Sequence, residues 1–459
     1  MPFESPDNQK TKAAPQNEWT VVADLGILFD QRGKNGHMGA EDKLKGLEQL
    51  TQATKGKPVT IVAAAIVCDD QNAPDGKLSE SKKGYEVERI VIHDGQETIT
   101  KLGASKGFKN DLQDLLDYSL KEQSGSHVAL AINAHGFGDQ GVNGGMAEPE
   151  RRNGGVVPVA DLAAAIKSSL DKNGGNKLDL TDFDSCLMAQ LGVLQSMDPV
   201  TKQLVASEKT ETVKSDAEID GQNLTAWISD LVTKPSMTGF ELGQDIVDRA
   251  NKGANGLGET EGTSTLAHFD LDGHLNDFNA RLNTLGRGLI ESMQNPANRK
   301  AIAQELNGLA DIAKDEVRGP GPEHGATVAK RDMQGMLDML SFNLSRGNIQ
   351  DPDGHLKVAV DSMTSALKDR SGLVAAVHLK SDENTGLFHV KPIVSSESGL
   401  SLYLPNLEVM TNNCLTSADL TKINSAEAGS TSTPWFEFLQ SMRIEQQQSA
   451  LNARSCDNK

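Results

Sequence analysis

The chain has 459 residues, with 45 Lys and Arg against 64 Asp and Glu, a formal charge of −19. That acidic balance argues against a nucleic-acid-binding face and against a polybasic membrane anchor. Hydrophobic residues make up 37% and only 4% are aromatic, so the chain can build a core, and that core is aliphatic and rich in small residues.

Length alone allows about three domains, or one large core with additions. The first residues, MPFESPDNQKTKAAPQNEWT, are polar and lack the apolar segment of a secretory signal. A disordered lead over residues 1–18 is expected, in a protein that is cytoplasmic or exported without an N-terminal Sec signal. No apolar run is long enough for a transmembrane helix. Trp19 to Phe29 and Lys57 to Cys68 read as buried strands. Between them Leu44, Leu47 and Leu50 set a helix over Glu41 to Ala53. Tyr85 to Asp94 alternates and reads as a more exposed strand. Lys106 to Glu122 is an amphipathic helix, and His127 to Asn133 is another buried strand. A glycine-rich loop follows over Gly136 to Gly155. Then come helix Val159 to Leu170, strand Leu178 to Phe183 and helix Leu187 to Met197. Continuous rather than alternating apolar runs favour a parallel sheet covered on both faces, and the alternation of strands and helices gives an α/β core.

From Phe240 onward helices dominate: Phe240 to Ala250, Leu275 to Met293, Arg299 to Ala313, Asp332 to Leu344 and Leu356 to Leu367. Short strands come late, at Gly372 to Leu379 and Gly399 to Leu404. Asn251 to Gly262 and Gly319 to Gly325 read as loops, and Asp351-Pro-Asp353-Gly354 as a turn. The expected division is a lead over 1–18, a core over 19–235, a helical region with strands completing the fold over 236–443, and a polar tail over 444–459.

Two strand ends carry the chemistry. Asn133-Ala-His135-Gly136 places a histidine after a buried strand. Phe183-Asp184-Ser185-Cys186 places a cysteine after the next one. In open α/β sheets, functional groups gather at the carboxyl ends of neighbouring strands; one crossover unit separates the two residues, so they could sit side by side there. A thiol is only slightly ionised at neutral pH; a histidine and a helix N-terminus raise the thiolate fraction. The imidazole then protonates the leaving amine. The N–H groups of Gly136 and Cys186 could form an oxyanion hole. Caspases carry a histidine about 50 residues before their cysteine, as here, but their pentapeptide around the cysteine is absent. The other cysteines, Cys68, Cys414 and Cys456, make no Cys-x-x-Cys pair. Neither a disulfide framework nor a zinc finger is expected.

These motifs resemble those of the clostripain family of cysteine peptidases: His-Gly before a glycine-rich loop, and Phe-Asp-x-Cys-Leu-Met at Phe183 to Met188. Val205-Ala-Ser-Glu208, Thr265 to Leu271 and Gly399 to Pro405 are similar to further family segments, with Trp435 and Phe438-Leu439 after them. The likeness spans roughly residues 18–440. It implies a caspase-like fold: a mostly parallel sheet sandwiched by helices, with a largely helical C-terminal region carrying short late strands. It implies endopeptidase cleavage after Arg or Lys by His135 and Cys186. Asp184 matches an acid linked to that specificity, since a carboxylate pairs with a cationic side chain; a purely structural role is the alternative. The second pocket acid is Asp220, with Asp216 as rival, in a segment longer than the family's and with Gln222 in place of an aromatic residue. Some members cut themselves between the histidine and the cysteine, and Arg151-Arg152 stands in that loop. The partners implied are peptides or proteins with basic residues, with no nucleic acid and no membrane.

No cofactor is required by this reading. Some relatives depend on calcium, and an acidic chain could bind it, yet no strict ligand pattern is present. His268-x-Asp270-x-Asp272-Gly273-His274 lacks the first acid and last Glu of a calcium loop. It reads instead as the cap of the next helix, with Asp272 near its N-terminus. The competing functions are a catalytically silent caspase-like interaction module and a different thiol amidase.

Overall fold

In the computed structural model the described residues are 18–30, 49–68, 86–122, 125–138, 141–143, 156–208, 224–252, 265–309, 330–379, 398–404 and 433–442. In chain order the first strands are β1 (Trp19–Asp30), β2 (Val59–Cys68), β3 (Glu86–His93), β4 (Gln96–Ala104), β5 (His127–Asn133), β6 (His135–Gly136) and β7 (Val142–Asn143). The later ones are β8 (Leu180–Asp184), β9 (Gln203–Ala206), β10 (Thr265–Asp270), β11 (Lys330–Asp332), β12 (Val374–Leu379) and β13 (Ser401–Tyr403). Nine of them form one sheet in the order β12-β10-β9-β8-β5-β1-β2-β3-β4. The five central strands, β9 to β2, are parallel. The flanking strands pair antiparallel.

Continuous apolarity in the central strands has the physical cause expected of it: both faces are covered. On one face Val22, Val62, Leu130, Ile132 and Phe183 pack with the helices Phe108–Glu122 and Val159–Lys172. On the other, Val21, Ile61, Ala129, Ala131 and Leu180 meet Trp227 and Ile228 of helix Leu224–Thr233 and Leu242 and Ile246 of helix Gly239–Lys252. Each large side chain so buried contributes roughly 1.5–3 kcal/mol. The mostly parallel sheet between helices is the expected fold class, and β10 and β12, both late in the chain, belong to it.

Three differences from the expected elements stand out. The exposed strand β4 is absent from the sequence reading, because an edge strand with almost no buried side chain has no apolar pattern. Its signal is the Asp94-Gly95 pair, both at positive φ (48° and 73°), which closes the β3–β4 hairpin. Helix Leu224–Thr233 is likewise unanticipated. The helix expected from Leu187 starts only at Leu191 and ends at Met197.

The C-terminal helices are His274–Ser292, Pro296–Gly308, Met333–Arg346 and His355–Lys368. Asp351 carries the expected turn: its carbonyl accepts from Gly354 N, and its carboxylate accepts from Leu356 N and Lys357 N. A further helix over 434–442 buries Trp435, Phe438 and Leu439. It lies so close to Gly286 that a Cβ there would stand 2.8 Å from Trp435 N. Of the helix expected over Glu41 to Ala53, residues 49–53 are described and helical, with Leu50 buried. The lead 1–17, most of the two loops expected at 251–262 and 319–325, and the tail 443–459 lie outside the described residues. Among the described residues no helix is long and apolar enough to cross a membrane.

Candidate functional site

The site begins with the register of two central strands. In the β5–β8 ladder Asn133 stands opposite Asp184. Ala134 N donates to Asp184 O at 3.3 Å, and Ser185 Oγ donates to Ile132 O at 3.4 Å. Pairing therefore continues past the last ladder residues, and both motifs leave the sheet side by side.

The histidine motif then turns back on itself. His135 and Gly136 form β6, paired with β7, so the expected glycine-rich loop opens with a short hairpin. Phe137 N donates to Gly141 O at 2.9 Å to close it. A Cβ built on Gly136 would stand 1.9 Å from the Cys186 carbonyl oxygen and 3.0 Å from the Cys186 nitrogen. Only glycine permits this approach, which brings the His135-Gly136 backbone onto that of Cys186. Gly138, at φ +66°, lies against the buried Gln190 side chain in the same way.

The cysteine sits on a turn instead of opening a helix. Helix Leu191–Met197 begins five residues later, with Gln190 as its N-cap. Cys186 therefore does not stand in the first turn of a helix, as the sequence led us to expect. Cys186 is half-buried, between buried Ser185 and buried Leu187. Leu187 has φ +64°. A left-handed leucine costs roughly 1–2 kcal/mol, and strain of this kind persists only where the surroundings hold it. The holding contacts are identifiable. Ala189 N donates to Ser207 O at 2.8 Å. Ser401 of β13 donates to Ala189 O from both its N (3.0 Å) and its Oγ (3.2 Å). β13 is in turn paired with β11, where the Asp332 carboxylate accepts from Gly335 N and from Ser398 N and Oγ, each at 2.7 Å.

The acids divide into described and undescribed ones. Asp184 is half-buried, and its carboxylate accepts a hydrogen bond from Asn133 Nδ2. Strand alternation puts it on the same face as Asp182, which is buried and accepts from Trp227 Nε1 at 3.1 Å. Asp216, Asp220, Arg151 and Arg152 lie outside the described residues. The ends of their segments are described. The stretch holding Asp216 and Asp220 leaves from buried Glu208 after β9 and returns at Leu224, the start of the Trp227 helix. The stretch holding Arg151-Arg152 is closed at its base by Val142 and Val157, which exchange hydrogen bonds of 3.0 and 2.8 Å beside β6.

The segment His268 to His274 is held by contacts within the fold, with His274 Nε2 3.5 Å from Asp270 Oδ2. His268 is buried, donates from Nε2 to Gln203 Oε1 at 2.7 Å and meets the Phe240 ring. Burial pushes its pKa down to about 3. Asp270 accepts from Gln203 Nε2 at 2.8 Å, while Asp272 is exposed near Lys177. The helix starts at His274 behind Gly273, with no side-chain cap, which corrects the capping role expected near Asp272. Among the described residues no three His, Cys, Asp or Glu side chains converge as a metal site.

Two site residues escaped the sequence reading. Asn133 stood in the quoted motif without a role, and its place opposite Asp184 is visible only from the register. Ser401 lay in a recognised late segment, but its bonds to Ala189 span 212 positions.

The sequence matches the model of the Clostripain family over residues 59–334. Among solved structures it is similar to an inactive zymogen C11 protease from Parabacteroides distasonis, with 14% identity, 92% of this chain and 98% of that chain covered, and a TM-score of 0.52. It is similar to a secreted C11 cysteine protease from Bacteroides thetaiotaomicron, iotapain, at 13% identity, 92% and 99% coverage and a TM-score of 0.50. A secreted C11 cysteine protease from Bacteroides thetaiotaomicron in complex with an irreversible peptide inhibitor is similar at 11% identity, 92% and 99% coverage and a TM-score of 0.53. At these identities the likeness is one of fold. No curated protein matches the chain.

Proposed function

Because the chain belongs to the clostripain family, and is therefore a cysteine peptidase, we propose that Cys186 and His135 form its catalytic dyad and that it cleaves after Arg or Lys. Cys186 Sγ attacks the scissile carbonyl. His135 takes the thiol proton and passes it to the leaving amine. The N–H groups of Gly136 and Cys186 meet the developing oxyanion. The observation that carries this reading is the packing of Gly136 against the Cys186 backbone at the ends of β5 and β8.

Asp184 binds the basic side chain of the substrate, together with Asp220 or Asp216. In support, Asp184 faces the side of the sheet covered by helix Leu224–Thr233, and the segment with the other two acids runs into that helix. Self-processing at Arg151-Arg152 is the second half of the proposal. In support, Arg151-Arg152 belongs to the segment whose ends, Val142 and Val157, pair beside β6.

The test is the Cys186→Ala variant, assayed on peptide amides ending in Arg or Lys. Cleavage is lost while the circular dichroism melt matches the parent. Undiminished cleavage rejects the dyad. Mass spectrometry checks processing: the parent carries a cut at Arg151 or Arg152 that the variant lacks, and an active, intact single chain rejects it.

A further inference from the structure

We infer that Asn133 is a positioning residue for substrate recognition, holding the Asp184 carboxylate in the orientation that receives a basic side chain. The inference rests on the reading of Asp184 as the acid that binds Arg or Lys.

Asn133 ends β5 directly across from Asp184, the last residue of β8. Its Nδ2 donates to Asp184 Oδ2, and the ladder below them is closed by Ala134 N to Asp184 O. Alternation along β5 sets Asn133 on the face of Ala129 and Ala131, which is also the face of Asp184 and of the Trp227 helix. An aspartate at a strand end can take several rotamers, and a donor from the neighbouring strand selects one.

The residue type matters. A Lys or Arg at position 133 would neutralise Asp184 and compete with a cationic substrate. An aliphatic residue would remove the Asn133 donor from the carboxylate. An amide supplies an N–H and no charge. A carboxylate accepts at about four lone-pair sites, so one amide orients it without using up that capacity. Asn133 precedes His135 by two residues, so the same strand end that delivers the proposed base to the thiol also orients the specificity acid.

The experiment uses the full chain and two peptide amides that differ only in Arg or Gln at the cleaved position. Four proteins are compared with the parent: Asn133→Leu, Asn133→Ser, Asp184→Asn and the double variant Asn133→Leu/Asp184→Asn. Losing one hydrogen bond to a charged group predicts a KM for the Arg peptide raised about tenfold in Asn133→Leu, with a much smaller change in kcat. The Arg-over-Gln preference falls by about the same factor. In the Asp184→Asn background the Leu substitution lowers that preference no further. Equal loss on both peptides through kcat, or full additivity in the cycle, overturns the inference. Should Asn133→Leu fail to fold by circular dichroism, Asn133→Ser is read by the same criteria. If Asp184→Asn leaves the preference intact, the pocket reading itself fails. If Asp184→Asn abolishes it and Asn133→Leu does not lower it, only the role of Asn133 fails.

Discussion

The two ends of the parallel strands are built on opposite plans. At the amino end, charge is used to hold strands together. The Asp179 carboxylate accepts from Val128 N (2.9 Å) and Lys202 Nζ (2.8 Å), with His127 Nδ1 at 3.4 Å. Lys177 reaches Asp198 at 3.1 Å, and Trp19 lies against the His127 ring while donating to Met237 O. At the carboxyl end the joints are backbone contacts and neutral side-chain donors: Gly136 against Cys186, a left-handed Leu187, Asn133 on Asp184 and Ser401 on Ala189. The proposed catalytic and specificity residues stand at this end. Ion pairs clamp the sheet at one end, and the proposed site lies at the other, in keeping with the general preference for sites at carboxyl ends.

The contrast can be broken by substitution. Gly136→Ala forces apart the two backbones that form the site, and a displacement of that size predicts a loss of about 100-fold in kcat/KM, read with an Arg peptide amide. Retention of full activity would show that the close approach is dispensable. At the amino end, Asp179→Ala predicts the reverse pattern. Stability to urea drops by about 2 kcal/mol as Val128 N–H and Lys202 lose their acceptor, while activity per folded molecule is retained. An activity loss without a stability loss would dissolve the distinction between the ends.

Acid separates the antiparallel flank from both. His268 on β10 has its pKa depressed to about 3 by burial, against roughly 6.5 when unfolded. The unfolded chain thus binds the proton first. The stability held by neutral His268 is complete above about pH 6.5 and is lost as pH falls toward 3. Between about pH 7 and pH 5 this amounts to about 2 kcal/mol. Thermal melts of His268→Gln flatten over that range, and an unchanged pH slope in the variant removes His268 as the cause. The smallest effect is that of Ser401→Ala. It removes one of two bonds to Ala189 O and costs about 1 kcal/mol, measured by urea unfolding, with less than threefold change in kcat/KM. A large activity loss there would mean that the late strand positions the thiol rather than merely bracing its loop.

How legible this was in the sequence depended on burial. β1, β2, β5 and β8 announced themselves because covered faces demand unbroken apolar runs. β4 did not, because its side chains are solvated and only Asp94-Gly95 marked the turn. The helix after Cys186 was placed four residues early. The run Leu187-Met188-Ala189 is apolar because it is buried, and apolarity alone does not distinguish a buried turn from a helix. The cysteine and histidine motifs were readable as strand ends, and the family match agrees with the peptidase chemistry they implied.

What the sequence determined by itself is therefore local: which segments are buried, where strands stop, and which reactive residues stand at those stops. What only the tertiary structure decided is which stops meet. Asn133 and Asp184 are paired across 51 positions, and Ser401 and Ala189 across 212. Neither pairing leaves a local pattern, because register between strands is set by the packing of both sheet faces together. Gly136 belongs to the same class. One missing Cβ is unremarkable in a glycine-rich loop, and its reason emerges only when the Cys186 backbone occupies the space where that Cβ would be.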